Sequence, residues 1–296
     1  MPMLERIAGN RELKQDLKTA LGSGRIAHSI LLVGEPGCGA GFAARCLAAD
    51  YLYPAGGPHA EAVLKKEDTE CLVLQGEGAS GQIPVKKVRE AREAIQRSAL
   101  STDAAGRVLF IYGAQNLNGS SANAMLKIIE EPPEHLLFIL ATTELHKVPA
   151  TILSRCQRFS FRRISQEDIA ARLQYVAYQE NIDLDDGAAR VIARLADGGM
   201  RDGLSLLDQC ASATTGELTA ERVYACLGIA GERKCGEMMG YIATHDTKNA
   251  LELFNRLYTE GKDLGAMLDE MACLTRDLLV LKTAGNAGIT MLSGVA

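Results

Sequence analysis

The stretch that decides the fold is Ile30–Gly41, which reads ILLVGEPGCGAG. An apolar run that predicts a buried strand leads into a glycine-rich loop, and a helical pattern follows at Phe42–Ala49. Strand, glycine loop and helix in this order are the context of a phosphate-binding loop, whose pattern is G-x-x-x-x-G-K-[ST]. Both glycines of that pattern are present. However, Ala40 stands where a Lys would reach the phosphates, and Gly41 stands where a hydroxyl would bind Mg²⁺.

The second half of such a site would be an apolar strand that ends in Asp and is followed by Glu. The candidate strand is 108–111, VLFI, but Tyr112 and Gly113 follow it and no carboxylate comes before Glu130. Losing the Lys, the hydroxyl, the Asp and the Glu together leaves little route to ATP hydrolysis. The sequence therefore favours a protein descended from an ATPase that no longer works as one. The alternative that this loop never bound a nucleotide stays open.

The chain has 296 residues, of which 47% are hydrophobic and 23% charged, as is ordinary for a globular protein of two or three domains. Its net charge of −5 argues against a broad basic surface that binds DNA unaided. Local basic clusters occur at Lys65-Lys66 and at Lys86-Lys87 with Arg89 and Arg92. These clusters either approach DNA phosphates or form a solvated helix face.

The composition also indicates in which cellular compartment the protein is found. No run approaches 18 apolar residues, and the first residues lack the apolar core of a signal peptide, so we expect no membrane partner. The eight cysteines include no C-x-x-C pair, and the five histidines are not clustered. We therefore expect reduced thiols in the cytoplasm and no metal site.

Strands and helices alternate through the first half of the chain. The predicted strands are Ser29–Val33, Cys71–Gln75, Val108–Tyr112 and Leu136–Ala141. The predicted helices are one that Asn10 caps and Gly22 ends, then Phe42–Leu52, Lys86–Arg97 and Ser121–Glu130. This alternation predicts an α/β fold with a mostly parallel sheet covered on both faces.

After Arg163 the patterns are helical only. The predicted helices are Gln166–Glu180, Asp185–Ala196, Asp202–Ala211, Thr219–Cys226, Lys234–Thr244, Lys248–Glu260 and Leu264–Lys282. We predict three domains: an α/β domain over residues 1–163, a small helical domain over 164–230 and a second helical domain over 231–296.

Several segments together resemble a known family. They are RIAH at 25–28, NAMLKIIEEPP at 123–133, ATTE at 141–144, ILSRCQRF at 152–159 and GMRDGLSLLDQ at 199–209. The chain resembles the AAA+ subunits of the bacterial DNA polymerase III clamp loader. Its sequence is most similar to that of the gamma/tau subunit. The missing nucleotide-binding side chains, however, make it more similar to the delta-prime subunit. The resemblance implies a AAA+ P-loop domain, a helical lid and a helical collar.

The resemblance also assigns roles to residues. Arg155, with Ser154 before it, would be an arginine finger that acts in trans on the ATP site of an adjacent subunit. Gly34, Gly37, Gly39, Thr142 and Arg201 would be remnants of the chain's own nucleotide site, as contacts of the loop and of the two sensors. Without the Lys and the magnesium ligands, we expect ATP binding to be weak or absent.

Two features depart from the family. Its four-cysteine zinc module is missing, because the interval Leu47–Glu70 holds His59 and no cysteine. The last helical group is shorter than the family's collar, so we expect only its first part here, either as a natural short form or as a shortened chain.

The resemblance implies a non-hydrolysing, delta-prime-like subunit that helps to load the sliding clamp during DNA replication. Expected partners are the gamma/tau ATPase subunits, the delta subunit, the sliding clamp and, indirectly, primer-template DNA. Two alternatives stay open: a catalytically dead regulatory paralogue of gamma/tau, and a weak ATPase that recruits its missing cation from elsewhere.

Overall fold

The computed structural model describes residues 2–23, 26–77, 81–96, 101–117 and 119–285. The chain divides into two compact units, one of residues 1–168 with 198–201 and the other of residues 169–197 with 202–296. Arg25 and Arg97, at the ends of two predicted segments, lie outside the described residues, as does the part of the predicted third domain that follows Gly285. The three predicted domain boundaries stay a prediction.

Within the described part of the first unit, five parallel strands form one sheet in the order β2-β3-β4-β1-β5. They are β1 (Ser29–Val33), β2 (Cys71–Gln75), β3 (Arg107–Tyr112), β4 (Leu136–Thr142) and β5 (Gln157–Ser160). The first four strands were predicted to within one residue at each end. The predicted parallel sheet is confirmed.

The strand β5 was not predicted from the sequence. Among the described strands, this edge strand pairs with β1 alone. Its residues Gln157, Arg158 and Ser160 are exposed, while Phe159 is buried. One apolar residue in four gives no apolar run to detect. The strand forms because its backbone completes hydrogen bonds along the open side of β1.

Helices cover both faces of this sheet, as predicted. They are α1 (Arg11–Gly22), α2 (Ala40–Leu52), α3 (Pro58–Lys65), α4 (Val85–Ile95), α5 (Gly119–Glu130) and the short α6 (Ala150–Leu153). Successive residues of a strand point to opposite faces. Ile30 and Leu32 accordingly pack in the core that contains α2, whereas Leu31 packs in the core that contains α4 and α5. The glycine loop between β1 and α2 is thereby held at the carboxyl edge of the sheet.

Asn10 precedes α1 as predicted, but the prediction that its side chain caps the helix is wrong. Its φ of 48° is left-handed, and the side chain makes no bond to the described N–H groups of α1. Asn10 Nδ2 instead donates to the Arg162 carbonyl oxygen at 3.2 Å, and Oδ1 accepts from the Arg162 N–H at 2.9 Å. The amide therefore joins the start of α1 to the segment that leaves β5.

Helices make up most of the described part of the second unit. The helices are α7 (Gln166–Gln179), α8 (Asp186–Leu195), α9 (Met200–Ala213), α10 (Ala220–Cys226), α11 (Glu232–Ala243), α12 (Thr247–Thr259) and α13 (Leu264–Ala284). Their prediction from the sequence is confirmed, with ends that shift by one or two residues. The side chains of Asp185, Thr219, Asp246 and Asp263 cap helix starts, which explains why local sequence located these helices well.

A buried polar network joins four of these helices. Arg194 on α8 lies 3.3 Å from Glu270 on α13 and donates to the Tyr224 hydroxyl on α10 at 2.9 Å. The Cys235 thiol on α11 donates to Glu270 at 3.3 Å. Buried charges are tolerated when they are paired and hydrogen-bonded, so this network fixes the register of α8 and α10 against α11 and α13.

α13 is the longest helix of the second unit at 21 residues. Its sequence includes Glu270 and Asp277, both buried. Neither α13 nor any other described helix is long and apolar enough to cross a membrane.

Candidate functional site

The loop between β1 and α2 keeps the backbone shape that glycine permits. Gly37 and Gly39 have φ angles of 84° and 92°, a region that favours glycine. A Cβ atom at Gly34 would lie 2.5 Å from Cys38 Sγ and 2.8 Å from Phe161 Cβ. The glycines of the predicted loop are therefore required by its geometry, whatever it binds.

The side chains of the loop supply no cation to a phosphate. Ala40 begins α2, and the Cys38 thiol is buried, which raises its pKa and keeps it neutral. The acidic Glu35 pairs with Arg163 at 2.9 Å. What remains for an anion is the first turn of α2, whose N–H groups have no partner within the helix.

An aromatic side chain stands where a metal-binding carboxylate would follow β3. Tyr112 stacks on Phe110 with ring centres 5.6 Å apart, and a Cβ atom at Gly41 would lie 3.9 Å from Tyr112 Cε1. Burial raises the pKa of Tyr112, while the charge and hydrogen bond of Arg45 on α2 oppose that shift. Arg45 Nε is itself buried and has no hydrogen-bond partner among the described residues. A phenol and a guanidinium thus face the start of α2.

These residues do not fit a magnesium ion. Gly41 offers no hydroxyl, Tyr112 is a poor ligand with a raised pKa, and Arg45 adds a positive charge beside it. In the described part of the chain, no group of three or more His, Cys, Asp and Glu side chains is arranged to hold a metal ion.

Thr142, which the resemblance assigns to the first sensor, is turned inward. Thr142 is buried at the end of β4, where its hydroxyl donates to Gln115 Oε1 at 2.7 Å and accepts from the Glu144 N–H at 3.1 Å. Its neighbour Thr143 is exposed. The hydroxyl of Thr142 therefore ties β4 to the turn after β3, a structural use that needs no nucleotide.

Arg201, which the resemblance assigns to the second sensor, lies in the first turn of α9. Its backbone N–H points to the Gly37 carbonyl oxygen at 3.4 Å. The backbone at this position is therefore close to the loop, while the side chain is exposed.

Arg155 lies between α6 and β5 and is held by its own chain. Its Nη1 donates to the Thr151 carbonyl oxygen at 2.8 Å and to Ser154 Oγ at 3.1 Å. Its Nη2 lies 2.7 Å from Oε1 of Glu130, the last residue of α5. The Arg155 side chain is 39% exposed, so part of the guanidinium still faces solvent.

A groove of about 360 Å³ between α4 and α5 is lined by basic and polar side chains. Arg89 and Arg92 come from α4, and Lys127, Ser120 and Asn123 come from α5. None of the three cations forms an ion pair with another described residue. The other two members of that basic cluster in the sequence do form ion pairs. Lys87 pairs with Glu77, and Lys86 pairs with Glu90.

Family models match three successive parts of the chain. Residues 9–165 match the family model described as DNA polymerase III, delta subunit. The chain belongs to the DNA polymerase III clamp-loader family. Residues 168–216 match the ATPase lid domain of a DNA polymerase III clamp loader subunit, and residues 218–293 match domain III of subunits gamma and tau. The predicted resemblance to clamp-loader subunits is confirmed.

Named relatives point the same way. The chain is 34% identical over 286 residues to the tau subunit of Bacillus subtilis, and the alignment covers 95% of the chain and 50% of that relative. It is 33% identical to the gamma subunit of Buchnera aphidicola subsp. Acyrthosiphon pisum, with 90% of this chain and 74% of the relative covered. The chain thus spans about half the length of the tau relative.

Solved structures support the fold alone. The RuvB P216G mutant of Thermotoga maritima aligns with a TM-score of 0.59 at 18% identity, covering 83% of this chain and 81% of that chain. The RuvB Holliday junction branch migration motor of Thermotoga maritima aligns with a TM-score of 0.56 at 17% identity, covering 81% of this chain and 78% of that chain. The predicted fold of a AAA+ domain followed by helical domains is confirmed.

Sequence reasoning missed three residues that shape this site: Glu130, Arg45 and Gln115. Glu130 was quoted within NAMLKIIEEPP, but nothing in that stretch links it to Arg155. Arg45 follows Gly41 by one helical turn, a spacing that places both on one face of α2 and would have drawn attention to it. Gln115 carries no local signal, because its role depends on Thr142 from another strand.

Proposed function

We propose that this protein is a non-hydrolysing, delta-prime-like subunit of the DNA polymerase III clamp loader, and that it presents Arg155 to the ATP site of a neighbouring gamma/tau subunit. The observation that carries the proposal is the contrast between the chain's own nucleotide loop and its Arg155. The chain's own loop lacks every side chain that hydrolysis needs, whereas Arg155 remains on the surface with part of its guanidinium exposed.

We expect no ATP hydrolysis because the site lacks the positive charges that the phosphates require. A transferred phosphoryl group needs a cation and a metal to neutralise the charge that develops on it. Ala40, Gly41, Tyr112 and Gly113 supply neither the cation nor the ligands for the metal. Backbone N–H groups alone bind phosphate weakly, so any ATP held here would have no coupling to hydrolysis.

Arg155 has the chemistry of a group that acts on a neighbour. A guanidinium is always charged, offers five donors in a fixed plane and can stabilise a γ-phosphate from outside its site. Ser154 belongs to the same segment, where its hydroxyl accepts from Arg155. Neither residue depends on the empty loop of its own chain.

The groove of Arg89, Arg92 and Lys127 supports contact with primer-template DNA inside an assembled loader. Cations that no described carboxylate neutralises are available to phosphates, which position DNA without reading its sequence. Lys65 and Lys66 lie at the end of α3 and are not among the lining residues of this groove, so they do not share this role.

The helices after Gly231 support assembly with other subunits. Leu251, Phe254 and Tyr258 follow one another at helical spacing on α12 and are exposed, as are Leu268 and Leu279 on α13. Exposed apolar faces of this kind are typical of protein–protein contacts. We propose that they meet the collar helices of gamma/tau and delta subunits in a ring that opens the sliding clamp.

The test is ATP hydrolysis by a loader reconstituted with its cognate gamma/tau and delta subunits, clamp and primed DNA. Arg155→Ala should lower the rate about tenfold or more with assembly intact, because a trans-acting arginine contributes at least this much. Unchanged hydrolysis in an assembled loader would contradict the finger.

Two comparisons separate the alternatives. If this subunit joins the loader but clamp loading stops, the regulatory paralogue is favoured. If the isolated chain hydrolyses ATP at a rate that Gly37→Ala and Gly39→Ala abolish, it is a weak ATPase, and Arg45 is the cation to examine first.

A further inference from the structure

We propose that Glu130 positions Arg155 for its approach to the neighbouring ATP site. This inference rests on the proposed function of Arg155 and adds a second residue to it. Glu130 touches no substrate in this scheme and acts only through the guanidinium that it holds.

The contacts around Arg155 come from two sides. Thr151 and Ser154 take hydrogen bonds from Nη1, while Glu130 faces Nη2 at 2.7 Å. Thr151 and Ser154 precede Arg155 in the same short segment, so they move with it. Glu130 is the contact in this set that comes from a different element, the end of α5.

The C-terminal end of α5 is held in place by packing. Met125, Ile128 and Ile129 on this helix are buried in the core beneath the sheet. An arginine side chain has several rotatable bonds, and its freedom must be lost when it docks on a phosphate. A carboxylate fixed to a packed helix removes part of that freedom before docking and therefore favours the productive geometry.

The solvent exposure of Arg155 and Glu130 indicates whether the carboxylate orients the guanidinium or blocks its contact with a phosphate. The side chains of Arg155 and Glu130 are 39% and 47% exposed, and ion pairs in such settings are weak. A phosphate group of higher charge can therefore share or replace the carboxylate without a large penalty. Donors of the guanidinium also remain for that phosphate, since Arg155 has five N–H donors and its contacts with Thr151, Ser154 and Glu130 use three.

Glu131 provides a matched control. It follows Glu130 directly, carries the same charge and is exposed. Among the described residues it forms no ion pair. Changing Glu131 alters the local charge by the same amount as changing Glu130, but it leaves the support of Arg155 in place.

The experiment uses the reconstituted loader with clamp and primed DNA and measures kcat and KM for ATP. The variants are Glu130→Ala, Glu130→Gln, Glu131→Ala and Arg155→Ala, each checked for assembly and thermal unfolding. Glu130→Ala should lower kcat about three- to tenfold with KM within about twofold, because orientation and not ground-state binding is lost. Glu130→Gln should recover most of the loss, since its amide oxygen still accepts from Nη2, and Glu131→Ala should match the unchanged protein.

The outcomes separate the two proposals. If Arg155→Ala lowers kcat but Glu130→Ala behaves like Glu131→Ala, the positioning role is overturned and the finger stands. A rise in kcat with Glu130→Ala would mean that the carboxylate restrains Arg155, which also overturns the positioning role. If Arg155→Ala has no effect in an assembled loader, the proposed function fails and the role of Glu130 fails with it.

Discussion

Tyr112 stands against Gly41 at the carboxyl edge of the sheet, so that a Cβ atom at Gly41 would lie 3.9 Å from Tyr112 Cε1. Tyr112 stands where the motif would have its metal-binding carboxylate, and it thus faces Gly41, which stands where the motif would have its hydroxyl. These two departures from the motif lie far apart in the sequence and meet at one place in the fold. Restoring one without the other should therefore restore little.

The first prediction concerns rebuilding the nucleotide site. Ala40→Lys with Gly41→Thr should gain little magnesium-dependent ATP affinity, because the Tyr112 ring still occupies the space of the metal ligand. Adding Tyr112→Asp should strengthen binding about tenfold or more in the presence of Mg²⁺. Isothermal titration calorimetry with ATP, once in Mg²⁺ and once in EDTA, measures the affinities of both variants. Tyr112→Phe in place of Tyr112→Asp is the control, and equal affinity in the two triple variants would contradict the prediction.

A second prediction concerns the shape of the loop. Gly34→Ala should destabilise the protein by about 1–3 kcal/mol, because its Cβ would overlap Cys38 and Phe161, both buried. Gly22→Ala at the end of α1 is the control, since nothing lies within 4 Å of its Cβ position. Its free energy of unfolding in urea should stay the same or rise by up to about 1 kcal/mol. Equal stabilities of the two variants would show that the loop can relax around a methyl group.

The third prediction tests the polar network of the second unit. Glu270→Ala should lower the free energy of unfolding by about 2–4 kcal/mol, because it leaves the buried Arg194 without its carboxylate. Glu252→Ala on α12 changes the same charge at an exposed position and should stay within about 0.5 kcal/mol. Chemical denaturation of both variants measures the difference. A small loss for Glu270→Ala would mean that water replaces the carboxylate.

The fourth prediction is a pH dependence. Burial, followed by the hydrogen bond to Glu270, raises the pKa of the Cys235 thiol to about 12 from an ordinary value of 9.0. Below pH 9 the thiol is protonated in both states, and this stabilisation is fully present. Between pH 9 and 12 the unfolded chain loses the proton while the folded chain keeps it, so stability falls, by at most about 1.4 kcal/mol per pH unit.

Urea unfolding in the presence of a reductant, at several values between pH 8 and 11, measures this slope. Cys235→Ala should give a shallower fall above pH 9 than the unchanged protein, although both should respond equally below pH 8. Parallel curves across the whole range would contradict the assignment of the slope to Cys235.

The fifth prediction concerns DNA. Within the assembled loader, replacing Arg89, Arg92 and Lys127 by Ala should weaken binding of primed DNA and lower the slope of log affinity against log salt by about 2–3. Replacing Lys65 and Lys66 by Ala is the control outside the groove and should leave that slope unchanged. If both sets of changes act alike, the effect is one of net charge and not of the groove.

The order of strands and helices could be predicted well from the sequence. The apolar runs of β1 and β4 and the spacing of apolar residues in α8 and α12 are properties of short contiguous stretches, and local physics fixes them. The strand β5 was missed for the converse reason, because its stability comes from the open edge of β1 and not from its own composition.

The chemistry divides in the same way. The sequence alone determined that the loop lacks a Lys and a hydroxyl and that β3 ends without a carboxylate, because these facts depend only on residue identity at a motif position. Only the tertiary structure decided that Tyr112 faces Gly41, that Thr142 is turned to Gln115, and that Glu130 forms an ion pair with Arg155. Such pairings join different elements, and their distances are set by how helices pack on the sheet, which no local pattern records.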